Sequence, residues 1–426
     1  MKKIVLLCTC LMAAMLLHAQ VSLVRCIELA EDNYPLIKKY DLLARTRDIS
    51  LSDINKTWLP QIEVYGQGTV QNAVPSFPEA FAQMLSGTGM DVKGLDKLQY
   101  KAGVDISQSI WDGGNAKSQR RIAEATYAEQ TAAVDVELYA VRERVENLYF
   151  GTLLIDRQIE QTEAMLALLQ SNLDRLKSMK ANGTAMQSDV DMMEAQYLTT
   201  SQQLIQLQST SLSYRRMLGI FTGMDMTSVT LEIPPSTMPD DWTVNRPELA
   251  LMSAQQAVNQ ARMDAIESAL MPKVGVFAQA YYGYPGLNYF NSMFNRELSF
   301  NILAGVKVSW NIGAFYTKQN SEHRLAVSDQ SISADRDVFL FNTSLQTSSQ
   351  SDRIAELGKV IKEDNRIVAL RGNVRRAAES QLANGVIDAT DLLSKITDEN
   401  QARLNAAYHE IQLIQSIYQL KYTLNR

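Results

Sequence analysis

The chain has 426 residues, with 41 Lys and Arg against 47 Asp and Glu, and a net charge of -6 offers no basic surface to nucleic acid. Cys8 and Cys10 fall in an apolar N-terminal stretch, so Cys26 has no partner for an intramolecular disulfide in the rest of the chain. No run of eighteen apolar residues follows that stretch, which excludes a transmembrane helix but not membrane-spanning strands.

Residues 1–19 read as a secretory signal peptide: Lys2 and Lys3, the apolar run Ile4 to Leu17, and small-residue cleavage after Ala19. Cys26 follows Arg25, a poor context for lipidation. An exported chain of this kind is periplasmic, secreted, or an outer-membrane β-barrel. Residues 20–230 form the first of two expected repeats. A helix is predicted from about Leu23 to Trp58, then strands at about 61–70 and 100–111. Ile62, Val64 and Val70 alternate there with polar residues, and so do Tyr100, Ala102, Val104, Ile106 and Ile110. The Pro- and Gly-bearing segment Gln71 to Gln99 joins the two strands.

A long helix is predicted over 115–181, because Leu138, Val141, Val145, Leu148, Thr152, Ile155 and Ile159 start a heptad seam that continues to Leu176. A helix of roughly 68 residues reaches about 100 Å. It reverses in a tip turn at 182–188, where Asn182-Gly183 ends it, Ser188 is the expected cap of the returning helix, and Asp189 follows in its first turn. A returning helix is expected from Gly183 to Phe221. The segment 231–247 is a connector that its prolines keep from being helical.

Residues 248–426 repeat the plan at a constant offset. Ala102-Gly103-Val104 returns as Ala304-Gly305-Val306, and Ala181-Asn182-Gly183 as Ala383-Asn384-Gly385. A helix from Asn245 to Leu270 leads into strands at about 273–284 and 299–312. A long helix at 314–383 has a weaker seam through Ile354, Leu357, Ile361, Val368 and Val374. The tip turn at 384–390 has Thr390 as its expected cap and Asp391 after it, and a last helix from Val386 to Tyr422. In each half the two shorter helices sum to the length of the long one, so stacked half-helices could run beside it. Four ten-residue strands with one apolar face suit a bilayer, and also suit a soluble sheet with one wet face. Four strands cannot close a barrel, so a membrane-spanning version must oligomerise, and a trimer supplies twelve.

The chain resembles the TolC family of outer-membrane efflux channels. The carrying residues are Cys26-Ile27-Glu28-Leu29-Ala30-Glu31-Asp32-Asn33-Tyr34-Pro35, Leu59-Pro60-Gln61 echoed by Met271-Pro272-Lys273, Trp111-Asp112-Gly113-Gly114, and the two Asn-Gly turns followed by Asp189 and Asp391. The resemblance implies a mixed α and β fold: a trimeric, twelve-stranded transmembrane β-barrel continuous with a periplasmic α-helical coiled-coil barrel. It implies a homotrimer in outer-membrane lipid of a Gram-negative cell, extending into the periplasm. It further implies a passive exit duct of a tripartite efflux or type I secretion system, served by a periplasmic adaptor and an inner-membrane transporter of RND or ABC type. No enzymatic activity, cofactor or metal is implied. The competing reading is an exported coiled-coil structural or adhesive protein with soluble sheets.

The tips carry the candidate site. As turns, Asn182, Gly183, Asn384 and Gly385 need only end two helices. In a trimer they would face the adaptor, and Asp189, Asp388 and Asp391 would converge on the closed end of the pore. Leu382 and Ile387 stand where the family's Tyr and Arg latch would be, and Ser394 replaces a second acid. Closure is therefore expected from apolar contact of Leu382 and Ile387, with a ring of Asp391 carboxylates filtering or binding cations. Asn311-Ile312-Gly313-Ala314 departs from Trp111-Asp112-Gly113-Gly114, so the second strand-to-helix junction is expected to differ. His409-Glu410 lacks a second His for a zinc site, and Ala116-Lys117-Ser118 lacks the glycines of a phosphate loop.

Overall fold

The computed structural model describes residues 20–89 and 94–426, so the expected signal peptide lies outside the described residues. The first half comprises α1 (Leu23–Asn33), a 3-10 turn (Pro35–Ile37), α2 (Lys38–Lys56), β1 (Gln61–Val70), α3 (Glu79–Ser86), β2 (Leu98–Trp111), α4 (Asn115–Ala181) and α5 (Gln187–Thr222). The second comprises α6 (Pro247–Ala269), β3 (Lys273–Tyr284), α7 (Tyr289–Asn295), β4 (Ser299–Ser309), α8 (Ala314–Ala383) and α9 (Ala389–Leu424). The chain folds as two compact units. One holds the chain up to Asp41 with Thr131–Leu251 and Ala334–Arg426; the other holds Leu42–Gln130 and Met252–Ser333.

The first unit is helical. Ser22 caps α1 by accepting from the Arg25 N–H, and Leu23, Cys26, Ile27 and Ala30 bury one stripe of it. The expected single helix from Leu23 to Trp58 is broken at Tyr34, whose extended backbone is the conformation a following proline favours. Asn33 donates from its side chain to the Ile220 and Phe221 carbonyls at 3.1 Å, satisfying the end of α5. Val141, Val145, Tyr149, Phe150 and Leu153 of α4 meet α1, α5 and α9 in one core. The Tyr149 hydroxyl lies 2.8 Å from the Val21 carbonyl and 2.6 Å from that of Glu232, pinning the start of the connector. Cys26 lies fully buried in this core, where burial pushes its thiol up to about 11. Further along, Arg246 lies over the stacked rings of Tyr139 and Tyr422 at 4.7 and 4.8 Å.

The second unit contains one antiparallel sheet in the order β1-β2-β3-β4. Its register puts Val64, Val104, Ala280 and Ile302 in one row across all four strands. Because side chains alternate, every residue of that face except Gln108, near the helix end of β2, is apolar, aromatic or glycine: Ile62, Val64 and Val70 on β1, Tyr100 and Ile106 on β2, Val276 and Tyr282 on β3, Phe300, Val306 and Val308 on β4. These side chains face outward, Val64 being 78% and Val306 69% exposed. The opposite face holds Glu63, Gln67, Lys101, Asp105, Gln279 and Lys307. Both edge strands, β1 and β4, are unpaired on their outer sides among the described residues. The loops beyond β1 and β3 pack together through Val74, Phe77, Leu95, Tyr284 and Met293.

The two strand-to-helix junctions differ. Asp112 accepts from the Gly114 and Ala116 N–H groups at 2.9 and 2.6 Å, while Gly113 and Gly114 take positive φ. At the second junction Gly313 has no positive φ, and tight backbone bonds do the work instead (Ile312 N–H to the Trp310 carbonyl at 3.2 Å). That turn ends β4 at Ser309, short of the expected residue 312.

Candidate functional site

The long helices α4 and α8 stop in the same way. Gly183 and Gly385 take φ of 75° and 70°. The N–H groups of Gly183 and Thr184 return to the carbonyls of Lys180 and Met179, and those of Gly385 and Val386 to Leu382 and Gln381. Each is a Schellman termination, which requires a left-handed residue. A Cβ at either glycine would meet nothing within 4 Å, so it is conformation and not space that selects glycine here.

The returning helices start at Gln187 and Ala389, which makes Ser188 and Thr390 second helical residues and not the caps expected of them. Capping falls to the aspartates, in two opposite senses. At α9 the cap is Asp388, whose carboxylate accepts from the Asp391 N–H at 2.8 Å. At α5 the equivalent cap position is Met186, with no oxygen to offer, and Asp189 reaches back to accept the Met186 N–H at 2.9 Å. Asp189 is thus engaged, whereas the exposed Asp391 carboxylate has no ion-pair partner among the described residues.

Both turns border one recess of about 610 Å³, lined by Gly183, Asp189, Leu382, Gly385, Ile387, Asp388 and Asp391 among others. All the predicted gate residues meet there; Asn182 and Asn384 lie outside its lining. Beneath it, Leu169, Leu173, Leu176, Val190, Met193, Leu382, Leu392 and Ile396 make a core shared by α4, α5, α8 and α9. Leu382, 4% exposed, is already buried within its own chain, which removes it as a contact that could close a gate against a neighbour. Ile387 is half-buried, and the adjacent Val386 is exposed.

Several charged groups escaped the sequence reading because their partners lie on another helix. Glu399, 4% exposed, is held between Arg375 and Arg403. Burial opposes its ionisation, but the hydrogen bonds from Arg403 and Arg375 outweigh that and hold the carboxyl below the usual carboxylate range. His409, read as solitary, has its Nδ1 2.7 Å from Asp364 of α8. Asp156 takes Arg215 at 2.6 Å and Ser211 at 2.9 Å. Burial pushes the Glu146 carboxyl up to about 7 against the pull of Arg142, whose Nε is 3.4 Å away. The expected seam of α8 also shifts. Val374 is exposed, and Gly372, Ala378 and Leu382 take the buried side.

The chain matches the family model described as outer membrane efflux protein over residues 44–218. Its fold is similar to that of the outer membrane protein VceC of Vibrio cholerae, with a TM-score of 0.68 at 12% identity over 94% of this chain and 95% of that one. The CmeC outer membrane channel of Campylobacter jejuni aligns with a TM-score of 0.64 at 11% identity, covering 94% and 85% of the two chains. The open-state MtrE outer membrane channel of Neisseria gonorrhoeae aligns with a TM-score of 0.66 at 12% identity, covering 94% and 88%. No curated protein is similar enough in sequence to register as a relative. The matched family is one of outer membrane efflux proteins, and the similar folds are those of outer membrane channels. Among the described residues no helix is long and apolar enough to cross a membrane, and the sheet exposes one apolar side. The competing soluble-sheet reading gives no account of that side.

Proposed function

We propose that the chain is one third of a threefold exit duct. Three four-stranded sheets close edge to edge into a twelve-stranded barrel, apolar face to lipid and polar face to the lumen, and the long helices line a periplasmic conduit. The observation that carries this is the largely apolar, exposed face of a sheet whose two edges both lack a partner among the described residues. Unsatisfied edge groups are not tolerated in hydrocarbon, so closure requires other copies. Chemical cross-linking of isolated outer membranes should trap a trimer; a monomer in the soluble periplasmic fraction would sink the proposal.

The tip recess is then the closable periplasmic end. Ile387 and the exposed Val386 supply apolar closure, and the unpaired Asp391 carboxylates form a cation-attracting ring. The turns Asn182-Gly183 and Asn384-Gly385 face a periplasmic adaptor, which links the duct to an inner-membrane transporter of RND or ABC type in efflux or type I secretion. In single-channel recordings Asp391→Asn should lower cation preference and weaken block by divalent ions several-fold. Unchanged selectivity and block would remove the ring from the mechanism.

A further inference from the structure

The polar face of the sheet carries its charges in separate rows. Glu63 and Asp105 are cross-strand partners toward the helix end of the strands, while Lys101, paired with Gln67 and Gly283, stands nearer the loops. Lys101 has no carboxylate partner among the described residues. Its ammonium is framed by two aromatic rings, 5.6 Å from the Tyr65 centroid and 5.3 Å from that of Tyr281. The frame is itself fixed, since Gln279 donates to the Tyr65 hydroxyl at 2.9 Å. Glycine opposite the lysine is a requirement of this arrangement: a Cβ on Gly283 would lie 2.5 Å from the Lys101 Cβ. With that carbon missing, the lysine stem lies close along β3 toward Tyr281.

Around this cation the face forms a recess of about 200 Å³. Uncharged groups line the rest of it, notably Gln67, Thr69 and Gln99 from the strands and Tyr289 from the start of α7. That volume falls below the several hundred cubic ångströms of a drug-sized pocket and suits a single ring. An unpaired ammonium among amides, hydroxyls and tyrosine rings has a definite preference. It attracts a carboxylate, offers amide donors to the second oxygen, and leaves aromatic surface for the attached ring.

We propose that Lys101, framed by Tyr65 and Tyr281, is a binding site for small aromatic carboxylates at the loop end of the sheet's polar face. This rests on the duct reading, in which that face lines the lumen, and it makes the site a sorting point for anionic cargo.

Benzoate is the probe, with benzylamine as the cationic control of similar shape. Equilibrium binding to the detergent-solubilised full chain should be saturable for benzoate and undetectable for benzylamine. Lys101→Gln should weaken benzoate about tenfold or more, the loss of one charge-assisted contact, while Lys101→Arg retains it. In planar bilayers, benzoate added on the loop side should reduce wild-type conductance and leave the Lys101→Gln protein unaffected. Equal benzoate binding by wild type and Lys101→Gln, or equal binding of benzylamine, overturns the site. A Lys101-dependent site in a protein that forms no pore would support the binding and refute the duct. A conducting pore without Lys101-dependent binding would do the reverse.

Discussion

Glu146 shows how one buried residue ties pH to stability. Its carboxyl is raised to about 7 by burial, above the 4.5 of an exposed glutamate. The folded state therefore holds its proton more tightly than the unfolded one, so stability is greatest below the unfolded value and falls as pH rises through about 7. The difference corresponds to roughly 3 kcal/mol at most. Glu146→Gln should remove this slope, raising the melting temperature at pH 8 relative to wild type while changing little at pH 5. Melts that fall in parallel at both pH values would show that the carboxylate form is needed for packing. The sequence offered no sign of this residue, because its surroundings come from helices remote in the chain. By contrast, Gly183 and Gly385 were legible as helix terminators from their neighbours alone, since left-handed backbone is a local demand.

At the scale of elements, the sheet shows a pattern read correctly and completed by register. Alternation assigned Val64, Val104, Ala280 and Ile302 each to one side of its own strand. Only the pairing aligned the four sides into one surface. Ile302 and Leu303 are adjacent and both exposed, yet they point to opposite faces. Ile302→Lys should destabilise the membrane-inserted protein by about 2 kcal/mol or more, as a cation does on a lipid-facing strand. Leu303→Lys should be close to neutral. Unfolding in lipid vesicles compares the two, and equal costs would contradict a lipid-facing side. The helix-to-helix contacts were harder to foresee. The core of α4 followed its heptads, but the α8–α9 pair is joined by Arg375, Glu399 and Arg403, whose spacing within each helix resembles that of ordinary surface charges.

For the whole molecule, the apolar residues left uncovered are as informative as the core. On α5, Leu198, Ile205 and Leu212 repeat at heptad spacing and are exposed in the single chain, Ile205 at 63%. Leu42 and Ile49 repeat at the same spacing on α2. A heptad stripe with nothing packed on it is a coiled-coil seam awaiting another helix. Ile205→Asp should lower the fraction of cross-linkable trimer while leaving the far-ultraviolet circular dichroism of the chain unchanged. Wild-type trimer yield from that variant would assign the stripe to some other use.

Local information was sufficient for much of this protein. Strand alternation, long uninterrupted helices, glycine turns and their duplication all arise from backbone preferences and side-chain periodicity, which act over a few residues. Tertiary structure decided what depends on partners distant in the chain: the break made functional by docking Asn33 on the end of α5, the use of Asp388 and Asp189 as caps while Asp391 stays free, the burial of Leu382, and the cradle around Lys101. Burial and pairing are properties of a neighbourhood, and a neighbourhood exists only once the chain has folded.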